Sequence, residues 1–212
     1  MIQTVLRQRA ERYVHLLAAE VGNRRVGSPG NRQATKFFAD TVAGLGWQIA
    51  RQPFDCIDWV GDGACLALAD GSAVFSVQPS PYSLGCQVQG PLVLVSTEEE
   101  LVAAELRGAV VLVRGELAGE QLMPKHFPFF NPATHQRIIT LLEEKEPLAI
   151  VAATERNPEM AGAVYPFSLI EDGDFHIPSV YTTDEEGLRL AAHAGATVFL
   201  DSQARRIPAQ GW

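Results

Sequence analysis

The stretch from Pro91 to Glu116 constrains this chain more than any other. Leu92 to Val95 is apolar, β-branched and of strand length. Thr97 and Glu100 follow with the Ser/Thr-x-x-Glu spacing of a capping box, in which each side chain satisfies a free backbone N–H at a helix start. Leu101, Val102 and Leu106 give an inward helix face running to Arg107, and Gly108 supplies the left-handed residue that stops it. Val110 to Val113 carries no polar group, so the strand it predicts is buried on both faces. A looser echo comes later: Ile177–Tyr181, the box Thr183/Glu186, a helix to about His193, Gly195, then Thr197–Leu200. Together they predict two halves of one small sheet with helices on it, an α/β (α+β) fold.

A chain of 212 residues can bury a sizeable core in one or two domains. Its net charge of −8 argues against a nucleic-acid or anionic-membrane partner. No apolar run approaches the ~20 residues that cross a bilayer. Arg7 and Arg9 occupy positions where a signal peptide needs apolar residues. Cys56, Cys65 and Cys86 form no CxxC and suit reduced core thiols. The expectation is a soluble, cytoplasmic protein.

Ahead of the central block, residues 2–21 alternate apolar and charged groups at helical spacing. A Gly-Pro loop leads to a second helix, with Asn31 placed to cap it and Phe37, Phe38, Val42 and Leu45 on its apolar face. Trp47 to Phe54 reads as a strand, with Pro53 marking its end or an edge position. Ala64–Ala69 and Ala73–Val77 flank Asp70-Gly71, a hairpin signal. After Gly115 comes a proline-punctuated loop with Phe127, Phe129 and Phe130. Asn131 and Pro132 then stand at N-cap and N1 of a helix to Lys145. Leu148–Ala153 is another strand. The long connection 154–175 carries Asn157-Pro158, Tyr165-Pro166 and the acidic turn Glu171-Asp172-Gly173-Asp174.

The side chains offer little chemistry. His15, His126, His135, His176 and His193 form no HxxxH, HExxH or HxH pair. Asp172, Asp174 and His176 could gather near one strand as a hydrolytic site, or be a solvated acidic turn. His126 is a loop histidine with no visible partner. Gly27-Ser28-Pro29-Gly30 lacks the nucleophile-elbow spacing, and a proline after the serine removes the oxyanion N–H. No GxGxxG or GxxxxGK[ST] occurs. The three phenylalanines are either a partner-facing patch or a loop folded on the core. No catalytic, cofactor-binding or metal-ligating residue is assigned in this chain.

Arg25-x-Gly27-Ser28-Pro29-Gly30-Asn31-x-x-Ala34, followed by an amphipathic helix, Gly46 and a strand ending Gln52-Pro53-Phe54, resembles the opening of co-catalytic di-zinc aminopeptidases. These are relatives of glutamate carboxypeptidase and the transferrin receptor. Leu106 to Gly115, Leu148–Ala153 and Ile177–Val180 resemble pieces of the protease-associated (PA) domain inserted after that opening. The resemblance implies a PA-type β-sandwich or open barrel with flanking helices, preceded by a two-helix-plus-strand segment. It implies residues 1–55 as a segment packing on a zinc peptidase domain, 56–205 as the PA domain and 206–212 as a truncated link. In that family the zinc ligands and the carboxylate base follow the PA domain, so zinc is expected only in the domain missing here.

Three readings follow. The chain is the non-catalytic front of a zinc aminopeptidase-like hydrolase, shaping peptide access beside that domain. Or it is a free-standing PA-type interaction module using loops 115–132 and 154–176. Or it is a hydrolase acting through Asp172, Asp174 and His176. On the first reading the Phe37/Phe38/Val42/Leu45 face lies uncovered, and it folds back, pairs with a second copy as a homodimer, or stays mobile.

Overall fold

A computed structural model describes residues 2–154 and 168–212. The chain divides into two compact units, residues Met1–Asp58 with Ile207–Trp212, and residues Trp59–Arg206. The Asn157-Pro158 and Tyr165-Pro166 turns of the sequence reading lie outside the described residues.

Among the described residues eight strands form one sheet: β1 (Phe54–Leu68), β2 (Val74–Phe75), β3 (Gln78–Pro79), β4 (Cys86–Val95), β5 (Val110–Val113), β6 (Ala149–Thr154), β7 (Ser179–Thr183) and β8 (Thr197–Gly211). Their order is β2-β1-β8-β4-β5-β6-β7-β3. The centre, β4 to β7, is parallel, with Leu92 level with Val110, Val110 with Ala149, and Ile150 with Ser179. Antiparallel strands flank it: β8 on β4, and β3 on β7. Helices complete the α+β class expected from the sequence.

Strand alternation divides the core in two. Val111 and Val113 join Ile150, Leu101 of α3 (Glu98–Ala103) and Ile139 and Leu142 of α4 (Ala133–Lys145). Val110 and Leu112 join Val151, Val198, Leu200 and Leu190 of α5 (Asp184–Ala191). Apolar groups cover both faces of β5, which is why its sequence has no polar position. The Asp70-Gly71 hairpin forms, with Leu66 level with Phe75. Asp70 accepts the Ser72 N–H and hydroxyl, which hold its carboxyl below the usual range.

Both capping threonines work as expected: Thr97 accepts from the Glu100 N–H and Thr183 from the Glu186 N–H. The two glutamates reach elsewhere, Glu100 to the Ser96 N–H and Glu186 to the Ser76 N–H. Helix α3 ends at Ala103 rather than Arg107. The Lys145 ammonium takes the carbonyls of Val102 and Ala104, stopping the helix early and leaving Leu106 free to turn into the core. The later echo also differs. Strand β8 pairs with β4, not β7, and runs to Gly211.

In the first unit, α1 (Ile2–His15) continues as a π turn, Leu16–Glu20, and α2 spans Pro29–Ala43. The cap of α2 is Ser28, not Asn31: its hydroxyl accepts the Asn31 N–H at 3.1 Å and donates to the Asn23 carbonyl. Pro29 takes N1, where its missing N–H costs nothing. Gly30 is required by a close approach, since a Cβ there would lie 2.1 Å from the Asn23 oxygen. The strand expected over Trp47–Phe54 is absent. Residues 47–53 carry no regular structure and β1 starts at Phe54, after Pro53, which has no N–H for a ladder. Phe37 packs edge-on against Tyr13 at 5.2 Å, while Phe38, Leu45 and Trp47 are 67%, 63% and 69% exposed.

Candidate functional site: a clasped aromatic loop

Strand β5 ends in a 3-10 turn, Gly115–Ala118, and the chain then makes a loop to α4. Leu122 pairs with Ile170, its N–H donating to the Leu169 carbonyl at 2.8 Å, so the loop is anchored on the segment that leads to β7. Asp172 extends this clasp. It is buried, and its carboxylate accepts the Lys125 and Asp174 backbone N–H groups at 2.7 Å each. The Lys125 ammonium meets Glu143 of α4 at 2.8 Å. Asn131 is not the helix cap expected from its position before Pro132. Pro132 holds the cap position, and the Asn131 amide turns back to donate to the Pro124 and Lys125 carbonyls.

His135, on the first turn of α4, is 3% exposed. Its Nδ1 accepts the Met123 N–H at 3.2 Å, so the proton of the neutral ring sits on Nε2, which faces Glu120 at 2.9 Å. Sequence reasoning gave this residue no role. Helical spacing from the buried Ile138, Ile139 and Leu142 was the available signal for its inward side chain.

The clasp presents aromatic rings to solvent. Phe127, Phe129 and Phe130 are 40%, 90% and 59% exposed, with Phe127 and Phe129 edge-to-face at 5.9 Å. The three rings are exposed rather than folded onto the core. The loop is held by hydrogen bonds between its backbone and two side chains, the Asp172 carboxylate and the Asn131 amide.

The acidic turn is a structural element. Both Asp172 oxygens are engaged by backbone amides, and His176 faces Arg206, whose Nη1 lies 3.4 Å from its Nδ1. Arg206 also donates to the carbonyls of Tyr82, Asp172 and Phe175. Burial lowers its pKa, opposed by the charges of Asp172 and Asp174. Asp172, Asp174 and His176 therefore form no shared ligand set. No three His, Cys, Asp or Glu side chains among the described residues converge on a metal position. Ser28 is engaged as a helix cap, His126 is exposed, His15 lies 3.4 Å from Glu20, and His193 packs on the Phe75 ring.

No family model and no curated protein matches the chain. Solved structures do. An aminopeptidase from Aneurinibacillus sp. strain AM-1 superposes with a TM-score of 0.67 at 17% identity, over 94% of this chain and 45% of that one. The fold is shared with aminopeptidases. A peptidase precursor from Shewanella amazonensis SB2B gives 0.61 at 16% identity, over 99% and 52%. A zinc aminopeptidase from Bacillus subtilis gives 0.60 at 16%, over 95% and 44%. The chain spans about half the length of these structures. No helix among the described residues is long and apolar enough to cross a membrane.

Proposed function

We propose that this chain is the non-catalytic front portion of a zinc aminopeptidase-like hydrolase: an opening helical segment followed by a PA-type domain that shapes peptide access. The observation that carries the reading is the surface of α2 and its exit. Phe38, Leu45 and Trp47 stand in solvent on a unit whose own buried apolar residues are few, chiefly Val21 and Ala39. Covering each such side chain contributes ~1.5–3 kcal/mol, enough to hold a domain in place. The fold likeness to aminopeptidases about twice as long supports a peptidase domain as the occupant. Zinc and the hydrolytic residues then belong to that domain, and this chain supplies positioning.

The aromatic loop fits the same reading as the contact surface of the PA-type domain, for peptide or for a neighbouring domain. The free-standing interaction module draws support from the 90% exposure of Phe129, and it needs no peptidase domain.

Replacing Phe38, Leu45 and Trp47 together by serine tests the docking face. The expected variant keeps its fold and thermal midpoint and self-associates less than wild type. Unfolding of the variant would show that these residues belong to the chain's own core.

A further inference from the structure

We propose that His135 is a proton-operated latch on the aromatic loop. Its use as a regulator rests on the reading of that loop as a contact surface, while the latch itself stands on geometry. The ring is buried, and Nδ1 is occupied as an acceptor by the Met123 N–H, two residues before Lys125 and its clasp. A proton taken from solvent can add only at Nδ1, whose lone pair the Met123 N–H holds in the closed loop. The acceptor then becomes a donor pointing at another donor, and the Met123 amide loses its partner. Uptake of the proton and closure of the loop exclude one another, so acid favours the open loop and neutral pH the closed one.

Glu120, 76% exposed at its side chain, lies 2.9 Å from Nε2 and stabilises the imidazolium once formed. Among the described residues, Glu116, His126 and Glu144 on the neighbouring elements are exposed, and other charged groups there are engaged. Lys125 pairs with Glu143, Arg137 of α4 pairs with Glu98, Glu171 accepts from Gln121, and Asp172 accepts two backbone amides. Phe130, edge-on to the ring at 6.4 Å, links the imidazole to the exposed aromatic cluster. Release at Met123 therefore changes how Phe127, Phe129 and Phe130 are displayed.

The test is made on the isotopically labelled chain alone, so it can fail while the contact-surface reading stands, and the reverse. Ring nitrogen shifts at about pH 8 should give the Nε2–H tautomer. Exchange protection of the Met123 amide, corrected for the intrinsic effect of pH, should fall on acidification by up to about tenfold per pH unit, the limit for coupling to one proton. The Val111 amide in the core should show no such dependence. His135→Gln, which accepts without titrating, should flatten the Met123 profile. Glu120→Gln, a surface change that spares the fold, should move it to lower pH. An Nδ1–H tautomer, a flat wild-type profile, or the wild-type profile in either variant would overturn the latch.

Discussion

Asp172 accepts the backbone N–H of Lys125 at 2.7 Å across 47 residues of sequence. One buried carboxylate thereby fixes the loop that bears the phenylalanines to the segment that leads into β7. Asp172→Ala removes the acceptor of two backbone amides, on half-buried Lys125 and exposed Asp174, and should lower stability by ~1–2 kcal/mol. Asp172→Asn, which keeps an acceptor, should cost less. Denaturant titration of the two variants checks the order.

Lys145→Met should cost ~1–2 kcal/mol, because the Val102 and Ala104 carbonyls at the end of α3 lose their ammonium donor. Thermal unfolding would show this as a drop of a few degrees. An unchanged midpoint would mean that water replaces the lysine without cost.

Gly187 lies against β6, where an added Cβ would come 2.1 Å from the Ala153 Cβ. Gly187→Ala should therefore push α5 off the sheet and destabilise by ~1–3 kcal/mol, despite alanine's better helix propensity. A stabilised variant in the same melt would contradict the close packing.

Burial pushes the Cys86 thiol up to about 11 from an ordinary 9.0, with the Asp201 charge adding to it and the Ser202 backbone hydrogen bond opposing it. At about pH 8 its thiolate fraction should be roughly a hundredfold below that of an ordinary thiol. Alkylation followed by mass spectrometry should label exposed Cys65 well before Cys86. The sign for stability follows. The folded thiol stays protonated while the unfolded one ionises, so stability is lost as pH rises from the ordinary thiol value towards about 11.

Much of the sheet was legible in the sequence because its signals are local. The fully apolar Val110–Val113, the threonine caps and Asp70-Gly71 each act within a few residues. What sequence patterns missed depends on partners far along the chain. Lys145 ends α3 from α4, and β8 crosses the sheet to pair with β4 because β7 already lies against β6 and β3. Ser28 displaced Asn31 as a cap because proline suits N1, a rule the sequence did contain. At the candidate site, Phe127, Phe129 and Phe130 were visible as residues, but their exposure was not, since loop aromatics pack inward as readily as outward. His135 carries no motif, and its role depends on one backbone amide 12 residues away.

On the proposed function, catalysis belongs to a separate peptidase domain. Elemental analysis of the purified chain, run beside an assay for release of N-terminal amino acids from a peptide, tests it most directly. The account predicts well under one zinc per chain and no hydrolysis above buffer. Zinc at one or two per chain, together with hydrolysis abolished by a chelator and restored by zinc, would contradict it.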